Sequence, residues 1–156
     1  MDFVNNLLKL FVGDKSKRDV QQIRPIVEKV KQFEEPLKAL SNDELRQKTT
    51  FFKERIQQNR LAKDNEIAQI KSKIEQTDDI DSREDMYLEI DKLEVEAYEL
   101  SENLLNELLP EAFAVVKETA RRFKDNTAIE VTASQKDIEL SATKPYITIQ
   151  GDKALW

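Results

Sequence analysis

The chain has 156 residues, a net charge of -6 and a charged fraction of 36%, and it contains no cysteine and no histidine. Its acidic balance argues against a general nucleic-acid binder, because phosphate binding needs clustered Lys and Arg. The missing histidine and cysteine exclude Ser-His-Asp and Cys-His catalysis, most zinc sites and disulfides. We therefore expect a reducing, cytoplasmic setting. The low aromatic and glycine content favours long solvated helices over a sheet-rich fold.

The first predicted element is a short amphipathic helix over residues 3–12, which Gly13 and Asp14 are expected to end. No cleavage site follows it and no apolar run reaches the length of a membrane span, so it is predicted to be neither a signal peptide nor a transmembrane segment. Two interpretations remain open: a helix packed on its own domain, or one that binds a membrane surface or a partner reversibly. The candidate contact residues are Phe3, Val4, Leu7, Leu8, Lys9, Leu10, Phe11, Lys15, Lys17 and Arg18.

Two further helices are predicted in the first third of the chain. An apolar stripe over residues 20–33 indicates the second helix. Pro25 is expected to kink this helix or to delay its start, and Pro36 is expected to stop it. Ser41 and Glu44 then form a capping box that predicts the start of the third helix.

A long antiparallel helical hairpin is predicted from about residue 61 to residue 108. Apolar residues recur there at alternating spacings of three and four, which is typical of a coiled coil. A polar turn over residues 77–82 divides the region, and its last residue, Ser82, is suited to cap the next helix. Pro110 stands where the first turn of a helix tolerates proline, so it is expected to open a further, buried helix over residues 111–124.

After Asp125 the apolar pattern changes to the alternation typical of strands. Apolar pairs at positions 129 and 131, 138 and 140, and 147 and 149 predict three short strands. They would form a small β meander over about residues 127–150, with an open edge that nothing in the chain covers. The predicted fold class is therefore mainly α, a helical bundle with the long hairpin and this C-terminal meander. The predicted domains are a helical region over residues 1–124 and a β segment over residues 125–156.

The residues predict no catalytic, cofactor-binding or metal site. The acidic cluster of residues 78–85 lacks the glycine and the spaced glutamate of an EF-hand loop, so we interpret it as a solvated turn. Paired carboxylates such as Glu34 and Glu35 lie on charged helical stretches, where nothing separates their pKa values. A phosphate-binding loop needs two closely spaced glycines, whereas this chain has only Gly13 and Gly151.

The most specific motif is LLPEAFAVVKETARR at residues 108–122. Further motifs are LSNDELRQKT at residues 40–49, FKER at residues 52–55, and residues 7–13 with Arg18 and Asp19. In this order, the motifs resemble the start of the SecA family, the ATPases that drive unfolded preproteins through the SecY channel.

The resemblance implies an ATP-driven translocation motor for the full-length protein, with ATP and Mg as its cofactors. It implies a SecY-type translocon, unfolded preproteins and acidic lipids as partners, and a cytoplasmic, peripheral location at the inner face of the cell membrane. Residues 3–11 are similar to the family's N-terminal amphipathic helix, which contacts acidic lipids and the translocon.

Two regions depart from the family pattern. The hairpin over residues 61–104 looks like an insertion, and residues 125–156 contain neither the family's adenine-recognition glutamine motif nor its phosphate loop. The chain is therefore expected to be an N-terminal fragment without catalysis, whose residues 125–156 belong to a truncated nucleotide-binding domain. Apolar faces left without their usual partner predict a homo-oligomer. The alternative is a stand-alone coiled-coil adaptor whose hairpin is its binding arm.

Overall fold

The computed structural model describes residues 2–156, with side chains from residue 17 onward, as a mainly helical chain. The helices are α1 (Asp2–Lys38), α2 (Asn42–Glu75), α3 (Ile80–Asp125) and α4 (Gln135–Ser141), and the strands are β1 (Glu130–Thr132), β2 (Thr148–Gln150) and β3 (Lys153–Leu155). The predicted mainly α class with a small C-terminal sheet is confirmed.

The chain divides into two compact units. Unit 1 contains Met1–Asp43 and Pro110–Trp156, and unit 2 contains Glu44–Leu109. Both α2 and α3 contribute residues to each unit. The predicted domain boundary at residue 125 stays a prediction.

α1 is a single helix, whereas the sequence analysis predicted two. It includes Gly13 and Asp14, where an end was expected, and a lone glycine destabilises a helix by only about 1 kcal/mol. It also continues through Pro25 and Pro36 and ends at Lys38. Each proline removes one bond to the carbonyl four residues earlier, and both of those residues are exposed, so water can bond the freed carbonyls. The predictions of a break at Gly13, a late start at Pro25 and a stop at Pro36 are therefore wrong, and the alternative of a kink at Pro25 stays a prediction.

α3 likewise continues through its proline. Pro110 lies inside the helix and does not open a new one, which corrects the sequence-based prediction. The carbonyl that loses its bond belongs to Asn106, which is exposed, so water can again replace the missing partner. The predicted end of the helix near residue 124 is confirmed, because α3 ends at Asp125.

Unit 2 contains the predicted antiparallel hairpin of α2 and α3, but α2 is continuous from Asn42, so the predicted third helix and the first helix of the hairpin are one helix. Ion pairs join the two helices at Arg55–Glu107 (2.9 Å), Lys63–Glu96 (2.8 Å) and Lys71–Glu94 (3.9 Å). The residue number on α3 falls as the number on α2 rises, so the helices are antiparallel. Between them lies a core cluster formed by Ile67, Ile70, Ile74 and Ile90, with Met86 and Leu93 packed against it.

A short turn over residues 76–79 connects the two helices of the hairpin. The carboxylate of Asp79 accepts hydrogen bonds from the backbone N–H (3.0 Å) and the hydroxyl of Ser82. These bonds lower the pKa of Asp79, and they satisfy a free donor in the first turn of α3. The cap is therefore Asp79. The prediction of Ser82 as the cap is wrong, because α3 begins at Ile80 and already contains Ser82.

The C-terminal sheet is antiparallel, with β3 in the centre and the order β1-β3-β2. The predicted first and third strands are confirmed as β1 and β2. β3 was not predicted, and its central place means that the sheet is not a simple meander. Gly151, at the first position of the two-residue turn between β2 and β3, has a φ of 62°, which glycine adopts readily.

The predicted middle strand is wrong, because residues 138–140 lie in α4. Ser134 and Asp137 form a capping box at the start of this helix. The Ser134 N–H donates to Asp137 Oδ2 (2.8 Å), and the Asp137 N–H donates to Ser134 Oγ (3.3 Å). These reciprocal bonds satisfy free backbone donors and favour a helix over a third strand.

Candidate functional site

A polar network centred on Arg122 holds unit 1 together. The guanidinium donates hydrogen bonds to the carbonyls of Leu37 (3.1 Å) and Leu40 (2.7 Å) and to Asn42 Oδ1 (2.7 Å). The end of α1 leaves carbonyls such as these without helical partners, so Arg122 acts as a cap. Asn42 in turn donates to the carbonyl of Glu130 (3.0 Å). The network therefore joins the end of α1, the start of α2, the last turns of α3 and the edge of β1.

Glu118 provides the opposite charge within this network. Its Oε1 accepts from Arg122 Nε (2.8 Å) and Arg121 Nη2 (2.8 Å), and its Oε2 accepts from Arg121 Nε (2.8 Å). Glu118 is 5% exposed. The hydrogen bonds from Arg121 and Arg122 outweigh the effect of burial and lower the pKa of Glu118 to about 2. The hydrogen bonds to the Glu118 carboxylate therefore come from within unit 1. We infer that the cluster of Glu118, Arg121 and Arg122 stabilises the fold.

The side chain of Asp43 covers the outer edge of β1. Its carboxylate accepts hydrogen bonds from the N–H (2.8 Å) and the hydroxyl (2.8 Å) of Thr132. Together with the bond from Asn42 to Glu130, these contacts satisfy polar groups that a neighbouring strand would otherwise bond. The prediction that nothing in the chain covers the edge of the sheet is therefore wrong on the β1 side.

The predicted contact residues lie in the first half of α1. Phe3, Val4, Leu7, Leu8, Lys9, Leu10, Phe11 and Lys15 lie outside the residues whose side chains the structure describes. Lys17 and Arg18 are described, and both are exposed. Every residue from 17 to 29 is exposed, including Val20 at 56% and Ile23 at 54%. This part of α1 therefore presents both apolar and basic side chains to solvent.

A second exposed apolar surface of unit 1 lies on α3. Phe113, Val116 and Phe123 are 57%, 67% and 50% exposed, and Ala120 between them is also exposed. Successive spacings of three, four and three residues place all four on one face of the helix, which we call the unit 1 stripe. Single exposed apolar residues are normal on a protein surface, whereas a contiguous stripe indicates a binding surface.

Within the described residues we find neither a membrane span nor a metal centre. None of the helices combines the length and the apolar character needed to cross a membrane. No three acidic side chains among residues 17–156 are placed so that they could share a metal ion. In the acidic turn, Asp79 caps α3, and Asp78 and Asp81 are exposed.

Comparison with known proteins finds a family model and several relatives that resemble this chain. The model of the SecA DEAD-like domain matches residues 8–135. The chain is 58% identical to the protein translocase subunit SecA of Flavobacterium psychrophilum, 49% to that of Christiangramia forsetii and 43% to that of Phocaeicola vulgatus. Each alignment covers 100% of this chain and 14% of the relative, so the chain spans about 14% of the length of these curated relatives and the alignments include the hairpin. No solved structure matches the chain.

Proposed function

The chain belongs to the SecA family, and on that premise we propose that it is the N-terminal module of a protein translocase subunit. In this proposal the module binds the membrane surface through α1, packs on the rest of the subunit through unit 1, and performs no catalysis itself. The observation that carries the proposal is the similarity of all 156 residues to the N-terminal part of SecA subunits.

The exposure of α1 supports the membrane contact. A peripheral helix needs apolar area together with basic charge, because acidic headgroups attract Lys and Arg while apolar side chains enter the interface. The sequence of residues 3–11 has this amphipathic pattern, and the basic residues Lys17 and Arg18 follow it in exposed positions. No residue from 17 to 29 is buried against another element, so this stretch is accessible to a surface.

The unit 1 stripe supports packing on the remainder of the subunit. The chain corresponds to only 14% of its relatives, so most of a SecA subunit lies outside the matched region. A face that carries Phe113, Val116 and Phe123 in solvent needs a partner to bury it. We propose that this partner is the rest of the same subunit, because it belongs to the same polypeptide and is therefore always present with unit 1. The predicted homo-oligomer, in which a second copy covers this face, stays a prediction.

Catalysis belongs to the full-length protein in this proposal. A phosphate-binding loop requires two glycines a few residues apart, and the two glycines of this chain are Gly13 and Gly151. For the full-length protein we propose ATP and Mg as cofactors, and a SecY-type translocon, unfolded preproteins and acidic lipids as partners. We also propose a cytoplasmic, peripheral location at the inner face of the cell membrane. No residue of this chain is assigned to nucleotide.

A second candidate function is that of a coiled-coil adaptor. The observation that favours it is the row of exposed apolar side chains on the α3 part of the hairpin, which includes Tyr87, Leu88, Val95 and Tyr98. A binding arm of this kind does not require the rest of a translocase subunit. The two functions therefore differ in whether unit 1 has an obligatory partner in the same protein.

Liposome flotation tests the membrane contact. We expect the chain to float with liposomes that contain anionic lipid and not with neutral ones, because Lys17 and Arg18 add electrostatic attraction to apolar insertion. A variant that lacks residues 1–13 should remain unbound, and the control Ile138→Ser, on the exposed face of α4, should bind like the parent chain. Equal flotation of the parent chain and the truncated variant would show that α1 is not the membrane-binding element.

A further inference from the structure

The hairpin of unit 2 has a solvent-facing apolar row on α3. Ile80, Tyr87, Leu88, Val95 and Tyr98 are 77%, 51%, 54%, 58% and 63% exposed. Tyr87 lies seven residues after Ile80, and Tyr98 lies eleven residues after Tyr87. At 3.6 residues per turn both spacings return to nearly the same side of the helix. We call these five residues the outer face of α3.

The outer face lies away from the core of the hairpin. The buried residues of α3 in this region are Ile90 (5% exposed), Ala97 (0%) and Leu104 (7%). Ile90 and the partly buried Leu93 pack against the isoleucines of α2. The apolar side chains of the outer face therefore do not pack between the two helices, and their surface area stays exposed to solvent.

Acidic side chains surround this face. Residues 80–102 contain nine Asp or Glu and two Lys or Arg. Glu94 and Glu96 pair with Lys71 and Lys63 of α2. The other seven acidic residues form no ion pair with any residue that the structure describes. They include Glu84, Asp91 and Glu102, which lie on the same side of α3 as the apolar row.

The start of α3 adds a concave part to the outer face. Ile80, Tyr87 and Leu88 line a depression of about 330 Å³, together with the charged residues Arg83 and Glu84. Aromatic and aliphatic side chains with charged residues beside them are typical of a protein interface.

We propose that the outer face of α3 binds a cationic amphipathic protein segment, a helix with one apolar face flanked by Lys and Arg. Its apolar face would cover the tyrosines and Leu88, and its basic flanks would meet carboxylates that have no partner within the hairpin. Charge selects this occupant. A second copy of the hairpin would bring nine acidic residues against nine, and an anionic membrane or a nucleic acid would be repelled in the same way.

Fluorescence anisotropy with a designed peptide tests this proposal. The probe is a labelled amphipathic helix of about 18 residues, five turns, made of Leu and Lys. We expect saturable binding, and we expect Tyr87→Ser with Tyr98→Ser to weaken it by about tenfold or more, because exposed tyrosines are frequent anchors of interfaces. Leu61→Ser is the matched control, since Leu61 is 51% exposed but lies on α2. This control should bind like the parent chain.

Two further peptides separate specific docking from simple charge attraction. A peptide with Glu in place of Lys, and a scrambled Leu-Lys peptide of the same charge without an apolar face, should both bind about tenfold more weakly or worse. Equal binding of the scrambled peptide, or an unchanged Kd for the double tyrosine variant with intact helical circular dichroism, overturns the proposal. Dimerisation of the parent chain that the tyrosine variant abolishes also overturns it, because the occupant is then a second copy. These results concern unit 2 and are independent of the proposed membrane contact of α1.

Discussion

Arg122→Ala is expected to lower the free energy of unfolding of unit 1 by about 3–5 kcal/mol, because it breaks a buried ion pair with Glu118 and leaves the carbonyls at the end of α1 without their donor. The guanidinium bonds the carbonyls of Leu37 and Leu40 and the side chains of Asn42 and Glu118. Its removal leaves the buried carboxylate of Glu118 with Arg121 as its remaining partner, and it uncaps the end of α1. Urea denaturation followed by the fluorescence of Trp156, the single tryptophan, measures this unit directly, since Trp156 packs on the core of the sheet.

Arg121→Ala is the matched control for this prediction. Arg121 bonds the same carboxylate of Glu118, but its side chain is 45% exposed. Arg121 keeps contact with solvent and makes no bond to the end of α1, so its loss should lower the free energy of unfolding by less than the loss of Arg122, by about 1–2 kcal/mol. Equal destabilisation by the two variants would mean that the charge of the cluster matters and that the bonds from Arg122 to the end of α1 do not.

The free energy of unfolding of unit 1 is expected to fall as the pH is lowered from about 5 to about 2, and protonation of Glu118 is one cause. Its pKa in the folded chain is about 2, against an ordinary value of 4.5. Because the folded pKa is the lower one, this contribution is fully present above the unfolded pKa and is lost as the pH falls through the folded pKa. The shift corresponds to about 3 kcal/mol.

Glu118→Gln should remove this part of the pH dependence. We expect the difference in unfolding free energy between the parent chain and the variant to shrink by about 3 kcal/mol between pH 5 and pH 2. Glu34→Gln serves as the control, because Glu34 pairs with the exposed Lys117 at 2.6 Å and solvent screens that pair. A constant difference between the parent chain and Glu118→Gln across this range would show that the carboxylate is not held ionised by the two arginines.

The sequence predicted the hairpin because its signal is long. Isoleucines at positions 67, 70 and 74, and their counterparts on α3, belong to an apolar pattern that continues over many helical turns. A pattern of that length indicates a pair of packed helices and does not fit strands. The predictions of a late start at Pro25, a stop at Pro36 and a new helix at Pro110 were wrong for the opposite reason. The rule that proline lies at helix ends considers only the local sequence. It does not include the burial of the carbonyl that loses its hydrogen bond, and on the exposed side of a long helix water can replace that bond.

α4 shows where a short pattern fails. Ile138 and Leu140 are two residues apart, which over so few residues is also the pattern of a strand. The signal that could have identified the helix was Ser134 followed three residues later by Asp137, the capping box seen in the structure. A cap of this kind decides between helix and strand when the apolar spacing does not.

The network of Arg122 could not be predicted from the sequence at all. Residues 118, 121 and 122 appear there as ordinary charges on a helix, and local spacing indicates at most an i,i+4 pair. Which arginine meets the carbonyls at the end of α1 depends on packing between segments more than 80 residues apart, as the bonds from Arg122 to Leu37 and Leu40 show. The candidate contact residues of α1, in contrast, could be predicted, because an amphipathic pattern depends only on the spacing of neighbouring residues in the sequence.

The central claim, that this chain is the N-terminal module of a translocase subunit, is tested most directly by its binding to the rest of such a subunit. The partner for this measurement is the Flavobacterium psychrophilum SecA protein without the aligned 14%, whose aligned part is 58% identical to this chain. We predict a complex with a Kd of about 1 μM or tighter by isothermal titration calorimetry.

Phe113→Ser with Phe123→Ser, in the unit 1 stripe, should weaken this complex by about tenfold or more, whereas the Tyr87→Ser and Tyr98→Ser variant of the hairpin should bind like the parent chain. This outcome would support the translocase module. A folded parent chain that does not bind the partner, or binding that the stripe variant leaves unchanged, would contradict the account and favour the adaptor.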